Sequence, residues 1–263
     1  MNIKKKIHTL MNLDFKWAFR FYKKRLLMSI RFFFANNRIV SINIDGTNIK
    51  LVSSDAYHYS VAKDMSEGNY YEMSLLREWV EHTKKASVIF DFGAYNGLYG
   101  LLAAKANPNA KVYLFEIDPI AIKHIEENIR ENALENIHLV PKAISSEDGE
   151  ASFFVGATGG RLRKDGGLIV KTVSYKTLIN EFGAPDLIKM DIEGGEASVI
   201  PSMKEHLGGK PKIFFELHSF VLDKKEEELV MSSLKDIGYT FSLRPDASLP
   251  GVLHYILARK EIF

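Results

Sequence analysis

The sequence predicts an α/β domain with a mostly parallel sheet covered by helices on both faces, preceded by a helical and β-hairpin appendage. Three observations carry this. Short apolar runs, VIFDF at 88–92, KVYLFEID at 111–118, DLIKMDI at 186–192 and KIFFELHS at 212–219, alternate with amphipathic stretches of helical period. The runs are mostly apolar, as strands buried on both faces are, and each turns polar at its carboxyl end. The first leads into a turn bearing Gly93, Gly97 and Gly100 and then into the helix-compatible LYGLLAAKA.

The chain divides into a basic aromatic segment (1–40), a hairpin and helix leading into the core (41–86) and the main domain (87–263). With 263 residues it can bury a sizeable core, and with no cysteine it has neither disulfides nor Cys-ligated zinc. The net charge of +2 hides an asymmetry: ten Lys/Arg against Asp14 give residues 1–40 a charge of +9, which leaves −7 for the rest. No apolar run nears the roughly 18 residues needed to cross a bilayer, and no small-residue cleavage site follows an N-terminal apolar core. A cytoplasmic protein is expected. In residues 12–36 basic side chains alternate with Phe15, Trp17, Phe19, Phe21, Ile30, Phe32, Phe33 and Phe34. Two readings stand: a helical cap packed on the domain, or an interfacial helix in peripheral contact with an anionic membrane.

Taken in order, SINIDGTNIKLV at 41–52 alternates apolar residues about Asp45-Gly46, the signature of a hairpin with a type I′ turn. The polar and aromatic residues 53–74 read as irregular. Tyr71, Leu75 and Trp79 recur at helical spacing and predict a helix over 70–84, where Glu72 reads as a solvated helix carboxylate. A helix over 98–106 follows the glycine turn. PIAIKHIEENIREN is a second, with Asp118 as its cap and Pro119 in its first turn. IHLVPKAI, ASFFVGA and GLIVKTVSY read as strands, with TGGRLRKDG as a flexible loop between the last two. TLINEF, EASVIPSMKEHL and KKEEELVMSSLKDIG read as helices, and YTFSLR and VLHYILAR close the sheet.

The polar exceptions define a candidate site: Asp91, Glu116, Asp191 with Glu193, and Glu216 with His218 all end apolar runs. In open α/β sheets ligands bind outside those strand ends. The glycine turn lacks the G-x-G-x-x-G of a dinucleotide site, and Asp91 before it repels a pyrophosphate but attracts a ligand bearing an ammonium group.

DFGAYNG at 91–97, FEIDP at 115–119 and above all DLIKMDIEGGE at 186–196 resemble the FkbM-type, class I S-adenosylmethionine-dependent methyltransferases, over a span from about Val88 to the C-terminus. The resemblance implies S-adenosylmethionine as cofactor and, as acceptor, a hydroxyl on a sugar, polysaccharide, lipid or natural product. DIEGG stands where nitrogen methyltransferases often carry Asn/Asp-Pro-Pro-aromatic, which argues against nucleic acid. Glu116 is expected to accept hydrogen bonds from ribose hydroxyls. Asp91 either contacts the methionine end or orders the turn, Gly93 and Gly97 permit close backbone approach, and Asn96 caps the next helix or reaches the ligand. Adenine is expected against backbone and apolar surface at Ala143, and Asp191 is counted in the cofactor site as well. Asp191, Glu193 and His218 are the candidate catalytic residues, His218 paired with Glu216 across an i, i+2 spacing. Lys189, inside a buried strand, requires a carboxylate partner. The acids of EGGE are assigned to the next helix's N-terminus rather than to a metal. An NAD-linked oxidoreductase and a non-catalytic, membrane-associated scaffold are the alternatives.

Overall fold

A computed structural model describes residues 23, 26–30, 32–35, 38–154, 161–162, 167–207, 211–245 and 252–259. The chain forms two compact units, residues 1–42 with 51–70, and residues 43–50 with 71–263. Most of the basic segment lies outside the described residues. Within it, 26–30 and 32–33 are helical. Phe32 meets Tyr59 edge-on at 6.0 Å and lies under Arg38, while Leu26, Leu27, Ile30, Phe33 and Phe34 are exposed.

The first unit also holds α1 (Ala56–Ser66), where the sequence had suggested irregular chain. The cap explains it: Asp55 accepts hydrogen bonds from the Tyr57 and His58 N–H groups at 2.8 and 2.9 Å. The hairpin pairs β1 (Ile39–Ile44) with β2 (Thr47–Val52), and Asp45 and Gly46 have φ of 45° and 86°, as a type I′ turn requires.

In the second unit, α2 (Met73–Thr83) precedes β3 (Val88–Phe92), α3 (Leu98–Ala106), β4 (Lys111–Phe115), α4 (Pro119–Asn132) and β5 (Ile137–Val140). A second group of strands follows: β6 (Ala143–Ser145), β7 (Gly149–Phe154), β8 (Arg161–Leu162) and β9 (Leu168–Ser174). Then come α5 (Tyr175–Phe182), β10 (Leu187–Met190), α6 (Glu196–Met203), β11 (Lys212–His218), α7 (Lys224–Asp236), β12 (Tyr239–Leu243) and β13 (Val252–Arg259). The central sheet has the order β12-β13-β11-β10-β3-β4-β5, and β13 runs antiparallel to both its neighbours in an otherwise parallel sheet.

The run read as one strand at 137–144 is split. Pro141 has no N–H with which to continue the ladder, and the chain leaves for a separate four-stranded sheet of order β6-β9-β7-β8. That sheet includes Arg161–Leu162, which the sequence had placed in a flexible loop. Phe90, Phe92, Phe115, Met190, Phe215 and Leu217 build the core on one face of the central sheet.

Candidate active site

Register explains how the polar residues gather. Side chains two apart on a strand share a face; β10 sets Lys189 beside Asp91 of β3, and β13 sets His254 beside Glu216 of β11. These groups face away from the phenylalanine core, toward the side that α2 and α3 cover. Trp79 of α2 donates to the Tyr99 carbonyl of α3 at 2.9 Å and ties those helices together.

The glycine turn after β3 is held from within. Gly93 and Gly97 have φ of 76° and 82°. A Cβ at Gly93 would lie 1.7 Å from the Asp191 carbonyl oxygen, so only glycine lets the ends of β3 and β10 approach. The Gly93 and Ala94 N–H groups both donate to the Phe115 carbonyl, at 3.0 and 3.1 Å. Asp91, 2 % exposed, accepts from the Gly100 N–H at 3.1 Å in the first turn of α3, so it orders the turn. Burial pushes its carboxyl up to about 7, against the pull of Lys189 and of the Gly100 hydrogen bond. Asn96, one residue before the Gly97 N-cap, accepts from the Leu98 N–H at 3.1 Å.

Glu116 follows β4. Its carboxylate accepts from Tyr95 N–H at 2.7 Å, Ile117 N–H at 2.7 Å and Asp118 N–H at 2.9 Å, which joins it to the glycine turn and fixes its direction. Burial raises its pKa, and those three hydrogen bonds oppose the rise. Ala143 opens β6, half-buried, three residues beyond the end of β5 and paired with Thr172.

Beyond β10 and β11 lie Asp191, Glu193 and His218. His218 Nε2 stands 3.5 Å from Asp191 Oδ1 and 3.6 Å from Glu193 Oε2, while its Nδ1 is 2.9 Å from Glu196 Oε1. Burial pushes the imidazole pKa down, but the Glu196 hydrogen bond and the charges of Asp191 and Glu193 outweigh it and lift the pKa to about 9. Asp191 titrates well above the ordinary carboxylate range because burial and the Glu216 charge outweigh the help of Lys189 and His218. Glu193 sits at φ 50°, a left-handed conformation uncommon for a residue with a side chain.

The expected Glu216–His218 pair is not formed. Glu216 instead binds Lys189 Nζ at 2.5 Å, with His254 Nε2 at 3.1 Å on the same oxygen. The physical reason is supply: a buried lysine needs a carboxylate more than a histidine does, and Glu196 meets His218 from the neighbouring helix. Lys189 also lies 3.8 Å from Asp191 Oδ2 and 4.8 Å from the Tyr99 ring centroid. Burial disfavours both charges of the Lys189–Glu216 pair, yet their attraction prevails: the lysine pKa is raised and the glutamate pKa lowered. Glu72 is not a solvated carboxylate. It is buried and accepts from the Tyr99 hydroxyl at 2.7 Å.

Three participants were missed in the sequence: Glu196, His254 and Tyr99. Glu196 is the last acid of EGGE, and its spacing suggested only a helix terminus. His254 and Tyr99 lie in apolar runs, and only the antiparallel return of β13 and the packing of α3 bring them to the strand ends.

The sequence profile of the methyltransferase FkbM domain matches residues 91–241, more than half of the chain. The chain belongs to the FkbM methyltransferase family. The hexuronic acid methyltransferase AglP of Haloferax volcanii is 26% identical over 170 residues, covering 62% of this chain and 69% of that protein. The 2-O-methyltransferase NoeI of Sinorhizobium fredii is 27% identical over 184 residues, covering 61% and 74%. A Streptococcus mutans protein described as a SAM-dependent methyltransferase shares the fold, with a TM-score of 0.52 at 10% identity over 85% of this chain and 56% of that one. The oxidoreductase alternative falls with the family assignment. The matched span of this FkbM methyltransferase contains Asp91, Glu116, Asp191, Glu193 and His218, and leaves Glu72 and His254 outside it.

Proposed function

We propose that this methyltransferase takes its methyl group from S-adenosylmethionine and transfers it to a hydroxyl of a sugar-bearing acceptor. The observation that carries the reading is the gathering of the glycine turn, Glu116 and the Asp191–Glu193–His218 group at the carboxyl ends of adjacent strands. The relatives support the acceptor class: one is named for hexuronic acid and another for 2-O-methyl transfer.

The residues present suit the cofactor. A carboxylate offers about four acceptor sites; Glu116 spends three on backbone N–H groups, which orients it and leaves capacity for a ribose hydroxyl. Asp191 Oδ1 is a buried acceptor without a hydrogen bond, at the same rim. S-adenosylmethionine supplies a methyl group on a positively charged sulfur, open to in-line displacement by an acceptor oxygen. The acidic rim attracts that charge. Asp91 holds the turn that would face it, and the backbone near Ala143 would border the adenine. At the acceptor end, a carboxylate of the Asp191–Glu193 pair takes the hydroxyl proton. His218, held by Glu196, fixes that pair in place by charge, and orientation of acceptor against donor supplies much of the rate.

Calorimetry tests the donor half. Glu116→Ala is expected to weaken S-adenosylmethionine binding by about 1–3 kcal/mol through the loss of charged hydrogen bonds; unchanged affinity removes Glu116 from the ribose role, and failure of the parent to bind favours a non-catalytic scaffold. Transfer of label from S-adenosylmethionine to uronic acid, neutral sugar and glycolipid acceptors tests the other half.

We also place the basic segment against an anionic membrane surface. Leu26, Leu27, Ile30, Phe33 and Phe34 recur at one-face helical spacing and are exposed, in a segment of charge +9. Flotation with anionic but not neutral liposomes is the expected result, and no flotation with either overturns it.

A further inference from the structure

We propose that Asp191, Glu193 and His218 form a binding site for a divalent first-row metal cation, with Glu196 as the residue that orients the histidine. One ligand atom from each of Asp191, Glu193 and His218 lies within 4.8 Å of the other two. The histidine nitrogen lies 3.5 and 3.6 Å from the two oxygens. Metal–ligand bonds of about 2.1 Å put neighbouring ligand atoms roughly 3 to 3.5 Å apart, so the spacing needs little adjustment.

Two further observations point to a ligand. The His218 side chain is 3 % exposed, and its Nδ1 is engaged by the fully buried Glu196, which turns Nε2 toward the two carboxylates. A carboxylate behind a histidine in this way fixes its tautomer and strengthens it as a metal ligand. Asp191 Oδ1 is buried and accepts no hydrogen bond, a condition that native proteins rarely leave uncompensated.

The neighbouring group makes the contrast. Glu72, Glu216 and His254 are equally close together, but the Lys189 ammonium is already bound to Glu216 at 2.5 Å. That group carries its cation on the chain. At the Asp191 group Lys189 reaches only the other Asp191 oxygen, at 3.8 Å.

The donor set selects the ion. Two carboxylate oxygens with one imidazole suit manganese or a neighbour of it better than calcium, which takes six to eight oxygens. Three protein ligands leave positions for acceptor oxygens, and adjacent hydroxyls of a sugar fit two of them. The ion would draw charge from an acceptor hydroxyl and ease loss of its proton to a carboxylate oxygen of the same group. This acceptor role rests on the methyltransferase reading; binding of the ion does not.

The test is titration of the chelator-treated full chain with Mn2+, followed by electron paramagnetic resonance, with Mg2+ and Zn2+ as competitors. One tightly bound Mn2+ per chain is expected, with spin-echo modulation from a histidine nitrogen. Asp191→Asn and Glu193→Gln should each weaken binding at least tenfold, and Glu196→Gln roughly 10- to 100-fold, while Glu150→Gln, at an exposed position of the other sheet, leaves it unchanged. No Mn2+ bound at millimolar concentration, no nitrogen coupling in the parent protein, or loss of binding in Glu150→Gln alone overturns the proposal. Parallel calorimetry with S-adenosylmethionine separates the two readings: cofactor binding without Mn2+ binding sinks only the metal site, and the reverse sinks only the donor assignment.

Discussion

Asp91→Asn isolates the burial of a single charge. Asp91 is 2 % exposed, and burial carries its pKa from 3.8 to about 7 despite Lys189 and the Gly100 N–H. Between those values the folded chain holds a proton that the unfolded chain has released. Stability contributed by this group is therefore complete below about pH 4 and declines as pH rises to about 7. The window spans roughly three pH units at about 1.4 kcal/mol each, which bounds the loss at about 4 kcal/mol. Asparagine keeps the shape and an oxygen for the Gly100 N–H but carries no charge, and Lys189 retains Glu216 as its partner at 2.5 Å. The variant should be more stable than the parent at pH 8 by about 2–4 kcal/mol, and the advantage should shrink toward zero at pH 4.5. Urea unfolding followed by circular dichroism at the two pH values measures both differences. A variant less stable than the parent at pH 8, or an advantage of equal size at both pH values, refutes the reasoning.

Two further substitutions probe the same rim. Lys189→Met leaves Glu216 with only the His254 imidazole beside the same oxygen and should cost about 3 kcal/mol, with much of the loss recovered in the Lys189→Met/Glu216→Leu double variant, because removing one member of a buried pair strands the other. A single variant within 1 kcal/mol of the parent in urea unfolding would show that the pair is not closed off from water. Gly93→Ala and Gly46→Ala both place a side chain at positive φ, 76° and 86°, but only at Gly93 does the new Cβ meet backbone, 1.7 Å from Asp191 O, whereas nothing lies within 4 Å at Gly46. The backbone conformation alone costs about 1–2 kcal/mol and overpacking about 1–3 more, so thermal melts should show a clearly larger loss at Gly93; equal losses would remove the close approach from the account.

The sheet and its polar rim were legible in the sequence because burial on both faces leaves a distinctive mark: apart from Asp91, Lys189 and the leading Lys111, VIFDF, KVYLF and LIKM are apolar throughout. Asp118 and Pro119 likewise announced α4, and Asp118 caps it by accepting from Ile120 and Ala121. What sequence could not supply was pairing between segments. Glu216 and His218 share a strand face, so their mutual contact was the natural reading, yet each is drawn away by a partner remote in sequence: Lys189 at 27 positions and Glu196 at 22. The same blindness hid the second sheet, since a strand pattern says nothing of which sheet the strand joins. Helix α1 was missed for another reason. Its apolar residues are few and weakly spaced, and the capping aspartate, which fixes its start, looks in sequence like any loop acid.

The boundary of the FkbM match sharpens what the flanking elements do. The matched residues 91–241 contain Lys189, Glu216 and Asp191 but exclude Glu72, just before α2, and His254, on β13. Both excluded residues are buried against the Lys189–Glu216 pair, His254 within 3.1 Å of Glu216 and Glu72 within 3.9 Å of His254. The charge of Lys189 in turn lowers the pKa values of Asp91 and Asp191. A change made at α2 or β13 thus reaches the strand ends through one lysine: weaken the enclosure of Glu216, and water screens Lys189, and both aspartates lose part of the field that favours their ionised forms. The elements outside the matched span are in this way part of the electrostatics of the site, although neither supplies a group to the Asp191–Glu193–His218 cluster.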